Sequence, residues 1–87
     1  MADKQTCIKV FNSLIRGTPE SWNDVVFPLI SEYLTEVKYE NYEKLISLIG
    51  QNPNLAQQII PDMVRYYCQK YQILSISKNN QILVYYE

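Results

Sequence analysis

Residues 73–87 constrain this chain more than any other stretch. Two runs rich in apolar and β-favouring residues, 73–77 and 82–86, flank Lys78-Asn79-Asn80-Gln81. Asparagine is among the few residues that tolerate the positive φ required in two-residue hairpin turns. With Asn79-Asn80 at the tip, a regular register pairs Lys78 with Gln81, Ser77 with Ile82, Ile76 with Leu83, Ser75 with Val84 and Leu74 with Tyr85. Leu74, Ile76, Leu83 and Tyr85 then share one face, suited to packing on helices, while Ser75, Ser77, Ile82, Val84 and Tyr86 share the other. An isolated two-stranded hairpin is marginal in water, and an apolar edge strand is a template for pairing. The expectation is therefore a hairpin that covers helices with one face and meets a partner with the other.

Upstream, apolar residues recur at helical spacing. Cys7, Phe11, Leu14 and Ile15, flanked by Ile8 and Val10, predict a helix over residues 4–16 that Gly17 terminates. Thr18-Pro19-Glu20 reads as the start of a second helix, with a hydroxyl cap, a proline in the first turn and an early acid. Trp22, Val26, Leu29, Ile30, Tyr33 and Val37 form its stripe over residues 19–37. Pro28 must kink that helix or split it. A third helix, residues 40–50, has Tyr42, Leu45, Ile46 and Ile49 on one side and closes at Gly50. A fourth covers residues 54–72 on Leu55, Ile59, Met63, Tyr67 and Tyr71, with Pro61 again either bending it or opening a second piece. The fold class that follows is α+β: one small, mainly helical domain over residues 1–87, with about four helical segments and a C-terminal β-hairpin. Phe11, Leu14, Trp22, Leu29, Leu45, Ile49, Ile59 and Met63 are the expected core.

Composition narrows function mainly by exclusion. The 87 residues include no histidine, so the commonest general base is missing. Gly17 and Gly50 are the only glycines, too few for a phosphate-binding loop, and no serine lies in a nucleophile elbow. The carboxylate pairs Glu32/Glu36 and Glu36/Glu40 share a helical face without an apolar pocket to shift them. No catalytic residue, cofactor or metal site is expected, and the chain reads as a non-enzyme. Cys7 and Cys68 fall on apolar helix faces and read as buried free thiols, which suits a reducing, cytoplasmic setting. No apolar run approaches the length of a membrane span, and no signal-type stretch opens the sequence.

A formal net charge of -1 gives no overall pull toward nucleic acid. Charge is uneven, however: between residues 20 and 43, Glu20, Asp24, Glu32, Glu36, Glu40 and Glu43 face only Lys38. That acidic stretch reads as a solvated surface or as a docking face for a basic partner. Eight tyrosines include Tyr66, Tyr67, Tyr71, Tyr85 and Tyr86 near the junction of the fourth helix and the hairpin. Aromatic residues and arginine are enriched at the centres of protein interfaces. Arg65, Tyr66, Lys70, Ile82, Val84 and Tyr86 are accordingly the candidate protein-interaction residues of a small regulator, inhibitor or adaptor. Its partner would be another protein or a second copy of the chain, as a homodimer through the hairpin. The competing reading is a winged-helix-like nucleic-acid binder, with Arg65, Lys70 and Lys78 on phosphates. Residues 53–73 leave little room for the two full helices which that outline needs.

Overall fold

The computed structural model describes residues 2–87 and has the expected α+β outline. α1 (Lys4–Ile15) begins at Asp3, whose carboxylate accepts the Thr6 amide at 2.7 Å. It closes at Gly17, where φ is +73°. Its buried face carries Cys7, Val10 and Phe11.

Helix formation does not resume at Thr18-Pro19-Glu20. Buried Ser13 holds this segment instead: its carbonyl accepts the Thr18 amide at 3.1 Å and its Oγ accepts the Glu20 amide at 3.2 Å. The real cap is Ser21, and a π-helical turn (Trp22–Val26) follows it. Pro28 explains the wide turn. It lacks the N–H an uninterrupted α-helix would need, so the chain takes up one extra residue and restarts as α2 (Phe27–Glu36) with the proline in its first turn. The predicted 19–37 helix is thus split. Leu34, outside the expected stripe but one turn beyond Ile30 in α2, is buried beside it.

Lys38 and Asn41, both at positive φ, turn the chain into α3 (Tyr42–Gln51), which runs through Gly50 rather than closing there and ends at the Asn52 cap. Gly50 lets α3 approach α2 closely; a Cβ there would lie 3.3 Å from Cζ of Phe27. The predicted 54–72 helix is also two pieces, a 3-10 helix (Pro53–Gln58) and α4 (Ile60–Tyr71), with Pro61 in the first turn of the latter. Of the expected core, Phe11, Leu29, Ile49, Ile59 and Met63 are buried, whereas Leu14, Trp22 and Leu45 pack only partly against it. Ile30 and Tyr67 are fully buried as well.

Gln72, at φ 56°, ends α4 without a glycine, and the Ile73 amide bonds back to the Cys68 carbonyl at 2.9 Å. β1 (Leu74–Lys78) and β2 (Gln81–Tyr86) form an antiparallel hairpin with Asn79 and Asn80 both at positive φ, as the turn requires. The predicted register holds for Lys78/Gln81 and Ser77/Ile82 and then fails. A bulge leaves Leu83 unpaired, so Ile76 faces Val84, Ser75 faces Tyr85 and Leu74 faces Tyr86. The extra residue puts Leu74 and Ile76 on the same face as Val84 and Tyr86, and Ile82 on the opposite one.

Candidate protein-interaction surface

Tyr85 fixes the orientation of the hairpin. Its ring is buried and meets Phe11 of α1 edge-on at a centroid separation of 5.6 Å. Its peptide is held as firmly, because the Asn12 side chain bonds both its N–H and its C=O. With Tyr85 turned inward, its neighbour across the ladder, Ser75, shares the inner face, and so do Ser77 and its partner Ile82. Leu74, Ile76, Val84 and Tyr86 are left together on the outer face.

The outer face is more apolar than the sequence pattern suggests. Leu74 is 52% exposed, Ile76 51%, Val84 36% and Tyr86 41%. Val84 and Tyr86 lie where the unbroken register would also put them. Leu74 and Ile76 were expected on the helices and face outward, while Ile82 is separated from Val84 and Tyr86 by the bulge. Sequence reasoning therefore missed Leu74 and Ile76 as surface residues, and missed Asn12 altogether. The sole hint was a carboxamide at the edge of the apolar stripe of α1, beside Ile8 and Ile15, which needs a hydrogen-bonding partner when covered.

Arg65, Tyr66 and Lys70 form a separate group on α4. Arg65 is exposed and pairs with Asp62 one turn earlier. Tyr66 is half-buried, its ring 5.5 Å from Tyr33 and 5.2 Å from Tyr67, and its hydroxyl donates to Glu36 at the end of α2. Lys70 donates to the same carboxylate at 2.7 Å while its ammonium sits 5.3 Å from the centre of the Tyr71 ring. Hydrogen bonds from Lys70 and Tyr66 hold the Glu36 carboxyl below its ordinary pKa, and the bond to Glu36 raises those of Lys70 and Tyr66. This cluster is a clasp between α2 and α4, with its polar groups already engaged. Of the acidic stretch, Glu36 belongs to the clasp and Glu32 accepts the Ala2 amide at 2.6 Å; Glu40 and Glu43 stay exposed.

The two cysteines are free, but Cys68 is half-buried rather than buried because it lies at the margin of the core face of α4. Cys7 is fully buried, and desolvation pushes its thiol up to about 12. A groove of about 550 Å³ between α3, the 3-10 helix and α4 is lined by Leu45, Leu48, Leu55 and Ile59, with Lys44 and Asp62 also at its walls. No described helix is long and apolar enough to cross a membrane. No protein-family model matches the chain, and neither a curated protein nor a solved structure matches it.

Proposed function

We propose that this protein is a non-enzymatic interaction module whose contact surface is the outer face of the C-terminal hairpin. The observation that carries the reading is the grouping of Leu74, Ile76, Val84 and Tyr86 on one side of a two-stranded sheet whose other side packs on α1 through buried Tyr85. Contiguous exposed apolar patches of a few hundred Å² are often contact sites. The partner it suits is the apolar face of another protein, because the only charge on β1 or β2 is Lys78, beside the turn. The role is that of a regulator, inhibitor or adaptor acting by occupancy.

A nucleic-acid role would draw on Arg65, Lys70 and Lys78, and two of these three cations are tied to Asp62 and Glu36. The protein reading is favoured on that ground.

The experiment is comparative capture from the native cell extract with quantitative mass spectrometry. Wild-type chain, Val84→Lys, and Lys44→Glu on α3 as control are used side by side. Proteins retained by wild type and by the control but lost with Val84→Lys support the reading, and their retention should resist added salt because the contact is apolar. Identical profiles for all three chains would refute it.

A further inference from the structure

The two edges of the hairpin are not equivalent. Along β2, Asn12 occupies the peptide of Tyr85 as a neighbouring strand residue would, and the unpaired Leu83 disturbs the edge further on. Covering elements and bulges are two devices that keep strand edges from joining other chains. β1 has neither. All five of its residues are exposed, it contains no proline, and its single charge, Lys78, lies at the tip. Among the described residues, no hydrogen bond from outside the hairpin reaches it.

The groups this edge presents can be worked out. In an antiparallel ladder a residue directs its N–H and C=O to the same side. Tyr85 directs both toward Asn12, away from β1, so Ser75 across from it directs both away from β2. Ser77, two residues along the same strand, does likewise. The turn gives the same answer: Lys78 and Gln81 close a two-residue loop as a hydrogen-bonded pair, which makes Ser77/Ile82 the next, non-hydrogen-bonded one. The free edge therefore shows two donors and two acceptors, centred on Ile76.

We propose that β1 pairs with β1 of a second copy of this chain, antiparallel about a two-fold axis at Ile76. Ser75 of each copy then exchanges two hydrogen bonds with Ser77 of the other. Ile76 packs against its own counterpart on the outer face, and Leu74 lies along the aliphatic stem of Lys78. The two lysines sit at opposite ends of the pairing, so like charges are never opposed. The pattern is self-complementary, as an isologous interface demands.

Area also points to a second copy. The four outer side chains of one hairpin expose on the order of 300 Å² of apolar surface, well short of the roughly 800 Å² per partner in a standard interface. Joining two hairpins edge to edge merges their outer faces into one four-stranded surface of twice that size. The dimer rests on the reading of that face as the contact surface, and it brings the shared apolar face to about 600 Å², nearer the area of a standard interface.

Light scattering on the purified chain tests the pairing. The expected species has twice the 10.3 kDa chain mass. Ser75→Pro with Ser77→Pro removes only the two outward donors, as edge positions permit, and should give a monomer with an unchanged far-UV spectrum. A second measurement avoids proline: Ile76→Cys places two thiols across the axis with Cα atoms about 4.5 Å apart, inside the roughly 4.4–6.8 Å span of disulfides. Mild oxidation should link this variant and leave Leu83→Cys, equally exposed but off the axis, unlinked. A monomeric wild type, or failure of Ile76→Cys to cross-link, overturns the pairing. So does a dimer that survives both prolines and is lost with Val84→Lys, because it would be packed face to face. A monomer that still loses captured proteins on Val84→Lys refutes the dimer alone; a dimer whose captured proteins ignore that change refutes only the proposed function.

Discussion

Asn12 holds Tyr85 by both ends of its peptide: Nδ2 donates to the carbonyl at 2.9 Å and Oδ1 accepts from the amide at 2.7 Å. One side chain of α1 thus stands in for a third strand. Asn12→Ala removes both partners from a partly buried peptide, and an unsatisfied pair of this kind costs about 1–3 kcal/mol. The expected result is a lower urea midpoint, with faster hydrogen exchange at the Tyr85 amide than at the α3 amides.

The hydroxyl of Tyr67 is buried without a protein partner, while its ring stacks on Tyr71 at 5.7 Å with planes 7° apart. Tyr67→Phe keeps the ring and removes the unsatisfied group. Stability should rise by up to about 1 kcal/mol, read as an increase in Tm. A drop of that size would mean the hydroxyl is satisfied in solution.

The two glycines should respond in opposite ways. Gly17 is at φ +73° with open space around its missing side chain, so Gly17→Ala strains the backbone and should cost about 1 kcal/mol. Gly50 lies within α3, where alanine is favoured by about 1 kcal/mol, and its new Cβ would press on the half-buried ring of Phe27 at 3.3 Å. That ring can yield by a few tenths of an ångström. Gly50→Ala should therefore stabilise by about 0.5 kcal/mol, and Trp22 fluorescence should change because Trp22 stacks on Phe27. Denaturant titrations of the two variants check both signs.

Alkaline pH should unfold the protein. Burial raises the thiol of Cys7 from an ordinary value of 9.0 to about 12, and burial likewise raises Tyr67, Tyr33 and Tyr85. Across pH 9–12 the unfolded chain ionises Cys7 while the folded chain does not. The unfolded state then binds fewer protons, and stability falls by up to about 1.4 kcal/mol per pH unit for this group. Below pH 9 its contribution is complete. Melting curves should decline more steeply above pH 9 for wild type than for Cys7→Ala. A thiol reagent at neutral pH should leave Cys7 unmodified until the chain is denatured.

α1 and α3 were legible because local signals decide them: an unbroken apolar stripe, and for α1 a glycine at its end. The hairpin turn was legible for the same reason, since Asn79 and Asn80 meet its φ requirement alone. Pro28 and Pro61 announced that hydrogen bonds would be missing but not how the backbone would absorb the loss. In one place it widened to a π turn and in the other it tightened to a 3-10 helix. The bulge was illegible because the contact that accompanies it, between Asn12 and Tyr85, joins residues 73 apart in the sequence. Both registers offer plausible cross-strand pairs, so nothing within 73–87 chooses between them. The regrouping of exposed residues follows from that register: Leu74 and Ile76 join Val84 and Tyr86, and Ile82 is set apart.

The root of the ribbon is anchored twice, by buried Ile73 where it leaves α4 and by buried Tyr85 where it returns along α1. Such a double fastening leaves the projecting strands little slack between the two points. A molecule settling on Leu74, Ile76, Val84 and Tyr86 would meet a surface preset in its receptive shape, and the ordering entropy that weakens flexible recognition loops would already have been spent during folding.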